Sequence, residues 1–96
     1  MGELPAGGTG LEELIGREVV LDVRAPILYI GTLAAVEGQV LVLRDADVHL
    51  CGDSRSTAEL YVMETKKNGI RANRRLVRVM RTEIVSISRL DDVIVY

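Results

Sequence analysis

From Arg17 to Leu50 the apolar residues recur at a period of two, and that pattern constrains the fold more than any other feature of the chain. Val19, Leu21 and Val23 alternate with Val20, Asp22 and Arg24, as in a half-buried strand whose successive side chains point to opposite faces. Ala25-Pro26 ends the run, because proline has no amide hydrogen for a ladder and restricts the residue before it. A second strand is predicted over Ile27 to Val36, and Glu37-Gly38 resembles the Asp-Gly turn of a type I′ hairpin. Gln39 to about Leu50 gives a third strand, whose end "DADVHL" alternates less cleanly. Gly31 stands inside the second strand. An interior glycine costs stability, so it marks a bulge, a sharp bend or a close backbone approach.

Ninety-six residues allow one domain with a thin core. There is no Phe or Trp and only three Tyr, so Val, Leu and Ile fill the interior, which favours strands. A domain this small often gains stability by burying more surface in an oligomer. No apolar run approaches the roughly 20 residues that span a membrane. "MGELPAGGTG" has neither the basic start nor the apolar stretch of a signal peptide, and Ala6 breaks the myristoylation pattern begun by Met1-Gly2. Cys51 is the lone cysteine and reads as a buried, inert thiol, which fits a reducing cytoplasm. The expected location is cytoplasmic.

Residues 1–10 hold four of the nine glycines and Pro5, and read as a flexible tail ahead of a domain at 11–96. Thr9 and Glu12 fit the capping box of a short helix, "GLEELIG", ended by Gly16. Its apolar face would be Leu11, Leu14 and Ile15. An insertion at about 52–73 interrupts the β pattern. Ser56 with Glu59 fits a second capping box, Lys66 and Lys67 suit a last turn, and Gly69 fits the position past a helix end. Leu60, Met63 and Glu64 recur at helical spacing, widened by Tyr61 and Val62, so a helix is predicted over 57–68. A strand through "ELYVMET" is the competing reading. "RRLVRVMR" and "EIVSISRL" follow as two short strands parted at 82–83, and "DDVIVY" reads as a last short strand or an edge addition.

The net charge of −2 hides an asymmetry: residues 1–65 carry 4 basic and 11 acidic side chains, or −7, and residues 66–96 carry 8 and 3, or +5. Seven bases (Lys66, Lys67, Arg71, Arg74, Arg75, Arg78, Arg81) run without an acid. Such a stretch either attracts phosphates or neutralises the acidic half of its own or a neighbouring subunit. No catalytic constellation stands out. His49 is the only histidine, which argues against a His-based zinc site or a Ser-His-Asp triad, and reads as a half-exposed strand residue. Asp45 and Asp47, read on one strand face, and Asp91-Asp92 look like solvated carboxylates rather than acid–base machinery. "GGTG" lacks the length and the lysine of a P-loop. The expectation is a non-enzyme with no cofactor and no metal site.

The order of helix, three strands, interruption and two short strands resembles that of Sm and LSm proteins. "VVLDV", "GTL" at 31–33, Glu37 and "VLVLRDA" at 40–46 follow the layout of that family's first signature, and "VMRTEIVSI" at 79–87 is similar to its second. The resemblance covers about residues 11–51 and 74–88. It implies a mainly β fold, a small, bent five-stranded barrel with an N-terminal helix, here with a helical insertion between strands 3 and 4. It also implies a ring, in which the fourth strand of one subunit pairs with the fifth of the next, placing Val77, Val79, Ile84, Val85 and Ile87 at the interface.

The family's uridine pocket uses an Asp, a stacking side chain, an Asn and an Arg-Gly pair. Here Glu37 stands for the Asp, Gln39 or Val40 for the Asn, and Thr82 for the Gly after Arg81, with no Phe, Trp or Tyr between Tyr29 and Tyr61. Base recognition on single strands needs stacking and base-edge hydrogen bonds. The expectation is therefore an Sm-like ring that acts as a scaffold or regulatory module, its partners further copies of itself and a protein. The alternative is nucleic-acid binding through the basic 66–81 stretch, with Arg71, Arg74, Arg75 and Arg81 contacting RNA without uridine preference. Arg81 also reads as a structural partner for Glu37.

Overall fold

The computed structural model describes residues 10–52 and 55–96, the side chains of Arg55 and Ser56 excepted. Five strands form one antiparallel sheet: β1 (Glu18–Val23), β2 (Ile27–Glu37), β3 (Val40–Leu50), β4 (Arg74–Met80) and β5 (Ile84–Arg89). A single helix among the described residues, α1 (Arg55–Asn68), joins β3 to β4. This is the mainly β order, with a helix between the third and fourth strands, that the sequence predicts. Across the sheet the strands run β4-β3-β2-β1-β5. The last two strands in sequence are thus the two edges, and the barrel is open between them.

The sheet bends where the β2–β3 pairing slips. Ile30 faces Asp47 but Thr32 faces Arg44, so β3 carries an extra residue there. Asp45 absorbs it at φ 49°, a left-handed value that Asp tolerates better than most residues. Gly31 lies opposite, where a Cβ would sit 2.8 Å from Ala46 Cβ and 2.9 Å from Ala46 Cα. Its role is therefore close backbone approach. The bulge also separates two acids expected on one face. Asp45 is exposed, while Asp47, after the bulge, is only 3% exposed.

Each face of the sheet carries a core. On one, Val19, Leu21, Leu33, Leu41, Leu43, Ala46 and Val79 form the barrel interior. On the other, Val20, Leu28, Ile30 and Leu90 pack under Ala58, Tyr61 and Val62 of α1. The helix buries Met63 and Thr65 and leaves Leu60 exposed, so its inward stripe is not centred on the Leu60–Glu64 spacing read from the sequence. Gly69 follows it at φ 91°, its N–H donating to the Thr65 carbonyl at 2.8 Å, the expected C-terminal cap. The helix starts at Arg55, so Ser56 lies within its first turn rather than before it.

Three local expectations are corrected. The N-terminal helix is a single 3-10 turn, Glu12–Leu14, because Gly10 and Gly16, both at positive φ, bracket too few residues for more. Its expected cap, Thr9, and the rest of the tail at 1–9 lie outside the described residues. The hairpin turn is centred on Gly38-Gln39, since Glu37 still pairs with Val40. Gly38 has φ 58° and Gln39 is not among the positive-φ residues, the φ pattern of a type II′ rather than a type I′ turn. "DDVIVY" forms no strand. Leu90–Asp92 make a 3-10 turn that buries Leu90, and Lys66 Nζ donates to the carbonyls of Asp91 (2.7 Å) and Val93, drawing the chain from the sheet edge towards α1.

Candidate functional site

Three places bring polar or exposed apolar side chains together: the β2–β3 turn, the two sheet edges, and the seam between α1 and β3. At the turn, the backbone N–H of Arg81 donates to the Gln39 carbonyl at 2.7 Å. The Arg81 guanidinium donates to the Gly38 carbonyl at 3.1 Å. The expected pair with Glu37 does not form among the described residues. The guanidinium is taken instead by the Gly38 carbonyl, while the Gln39 carbonyl holds the Arg81 backbone N–H. Glu37 and Gln39 are exposed on either side of Gly38, and neither offers a ring for stacking. Next to this turn, Arg24 Nε donates to the Thr82 carbonyl at 3.2 Å and stands 3.9 Å from Glu83, so the 81–83 segment is also fixed by the residue just past β1.

Along β4, Arg74, Arg75 and Arg78 are exposed, as is Arg71 before the strand. Arg74 donates to the Asn73 carbonyl at 3.1 Å, and none of these four has a carboxylate partner among the described residues. The residues expected at an interface divide by the pleat of the strands. Val79 is buried, and Val77, Ile84 and Ile87 pack on the barrel interior, bringing that core out to both edges. Val85 is 68% exposed, where the β1–β5 register slips between Asp22 and Val23 and leaves it unpaired. Leu76 and Met80 are also exposed on β4, at 48% and 53%.

The α1–β3 seam was not foreseen. Tyr61 Oη donates a short hydrogen bond to Asp47 Oδ2, and Asn73 Nδ2 donates to Oδ1 at 3.4 Å. Asn73 also clamps Val48 from both sides, accepting from its N–H and donating to its carbonyl, each at 3.0 Å. The Tyr61 and His49 rings stack at 3.6 Å, nearly parallel. Desolvation, then the hydrogen bond and charge of Asp47, push the Tyr61 hydroxyl up to about 12. The sequence signal for this cluster is weak: an acid on a strand, a tyrosine on an apolar helix face and an asparagine after it. Cys51 is half-buried, its thiol pushed up chiefly by burial. Asp91 and Asp92 are exposed, as expected. No group of three or more His, Cys, Asp or Glu side chains is placed to hold a metal ion among the described residues. No described helix is long and apolar enough to cross a membrane.

No protein-family model matches the chain, and neither does any curated protein. Solved structures do. A Pyrococcus abyssii Sm protein, solved with a uridine heptamer, is 14% identical with a TM-score of 0.59, covering 91% of this chain and 99% of that one. The heptamer of SmAP1 from P. aerophilum gives 18% identity and a TM-score of 0.55, with 91% and 96% covered. A chain of the NatC complex bound to CoA gives 21% and 0.54, with 93% and 88% covered. These likenesses show the fold: it is that of Sm proteins.

Proposed function

We propose that this Sm-fold chain is a non-enzymatic, ring-forming module that serves as a scaffold or regulatory binding protein, with the usual uridine pocket largely lost. The observation that carries the reading is the position of β4 and β5 at opposite edges of one open sheet, with Leu76, Met80 and Val85 exposed on them. Unpaired edges of this kind need covering, and pairing one edge to the other edge of the next copy closes into a ring if the rotation allows. Val77 and Val79 at one edge and Ile84 and Ile87 at the other would then join two barrel interiors into one. The similar chain in the SmAP1 heptamer supports the ring. The similar chain in the NatC complex supports a protein partner for such a fold.

Val85→Lys tests the ring without disturbing the interior, because Val85 is exposed in the single chain. Burying an unpaired ammonium in an apolar strand contact costs several kcal/mol, so the assembly should dissociate. Light scattering should fall to the mass of one chain while the far-UV circular dichroism stays unchanged. An oligomer of unaltered mass would exclude Val85 from the contact. Ile84→Lys is the poorer test, since Ile84 packs on the barrel interior and its loss would also weaken the fold.

Nucleic-acid binding through the basic stretch is the second reading, favoured by the exposure of Arg71, Arg74 and Arg75 without carboxylate partners among the described residues. The turn at Gly38-Gln39 offers no stacking ring, and Arg81 is engaged with its carbonyls. Each stacked base is worth roughly 1–3 kcal/mol, so uridine-rich RNA should compete no better than other single strands. Tenfold uridine preference would show a working pocket. If RNA is bound, changing Arg71, Arg74 and Arg75 together to Ala should weaken it for all sequences alike and flatten the salt slope by about 0.7 per lost contact.

A further inference from the structure

The outer face of β5, an edge strand, carries two small, exposed side chains, Ser86 and Ser88. An open groove of about 890 Å³ runs between that face, α1 and the C-terminal segment. Its charged lining is three acids, Asp22, Glu59 and Asp92, and one base, Arg24, which is engaged with the Thr82 carbonyl and Glu83. Ser86 Oγ donates to Asp22 Oδ2 at 2.9 Å, which holds this carboxylate beside the β5 edge.

The opposite edge is its complement in size and charge. Val77 packs against the barrel interior and Val79 lies in it, so alternation places Leu76, Arg78 and Met80 on the other face of β4, the face on which the groove opens. All three are exposed, and Arg78 has no carboxylate partner among the described residues. A row of long side chains, with a cation at its centre, matches a groove bordered by serines, whose acids outnumber its one base three to one.

We propose that in the ring Leu76, Arg78 and Met80 of one copy lie over the groove beside β5 of the next, with Arg78 paired to Asp22 there. This rests on the ring reading above and extends the contact from the strand edges to α1. The occupant is a second copy of the chain, because the charge it must bring is the charge that the other edge carries. The face is fixed by the core. Val77 and Val79 must continue the side of Ile84 and Ile87, and a one-residue slip would turn that apolar set out to solvent. The split of −7 in residues 1–65 against +5 in residues 66–96 is then neutralised between subunits. Part of the basic stretch is used in assembly.

Charge reversal tests the pair. Asp22→Arg and Arg78→Asp, both at exposed sites, should each weaken association about tenfold or more, by sedimentation velocity, and the double variant should recover most of the loss. High salt should weaken the wild-type assembly and leave the monomer's melting curve unchanged. Ser88→Trp supplies a second, charge-free variant, since it fills the groove from within and should also block assembly. Circular dichroism of each variant should match the wild type. Reversals and Ser88→Trp that leave a wild-type ring intact, or a double variant that recovers nothing, would overturn the groove contact while the ring itself stood. A monomeric wild type would remove the ring and the groove contact together.

Discussion

Gly31→Ala should destabilise the fold by about 3 kcal/mol, with a fall of roughly 15 °C in melting temperature for a domain of this size. The backbone at Gly31 is not left-handed, so the effect does not come from glycine's conformational freedom. It comes from space. A Cβ there would stand 2.8 Å from Ala46 Cβ and 2.9 Å from Ala46 Cα, and 3.2 Å from the Arg44 carbonyl oxygen. Two of those three atoms are backbone, so no rotamer change relieves the clash. β2 and β3 would have to part at the bend, where Asp45 is already held at φ 49°. Gly31→Val should be worse and should leave little folded protein. A calorimetric melt checks both, and an Ala variant that melts like the wild type would mean that the strands do not approach so closely.

Tyr61→Phe should cost about 2 kcal/mol, the range for a hydrogen bond to a charged group, because it strips a buried carboxylate oxygen of Asp47 of its donor. The ring is retained, so the stack on His49 and the packing on the second core survive, and the loss isolates the hydroxyl. The same hydroxyl gives a pH signature. Its folded value is about 12 against an ordinary 10.0, so the neutral form is favoured by folding. That stabilisation is fully present below pH 10 and is lost as pH rises towards 12, where a phenolate would face the Asp47 carboxylate. Urea titrations at rising pH should show this alkaline loss in the wild type and a smaller one in Tyr61→Phe. Equal alkaline loss in both proteins would assign it to other groups.

The strands were legible because burial on alternate sides writes a period of two directly into the residues, and Pro26 and Gly38 punctuate it. The helix was legible from its C-terminal stop at Gly69, whose N–H closes the last turn, while the spacing through Leu60 and Glu64 marked the wrong face, because both are exposed. What escaped depends on partners far away in sequence. The slip at Asp45 is a property of β2–β3 pairing, so two acids at a strand spacing of two were read as neighbours on one face when one is exposed and the other buried. The burial of Asp47 depends on Tyr61 and Asn73, 14 and 26 residues later, which no local pattern links to it. The turn shifted by one residue because the Glu37–Val40 pairing, not the Glu-Gly dipeptide, sets its centre. Arg81 reads from the sequence both as an RNA contact and as a partner for Glu37, and its guanidinium donates instead to the Gly38 carbonyl, an acceptor no side-chain pattern announces.

The ring is tested most directly by native mass spectrometry of the unmodified chain at micromolar concentration. The expected result is one closed oligomer of fixed copy number, with its mass unchanged on dilution across that range. A spectrum dominated by the 10.5 kDa monomer would contradict it, and would leave the exposed apolar residues of β4 and β5 to be covered by something other than this chain.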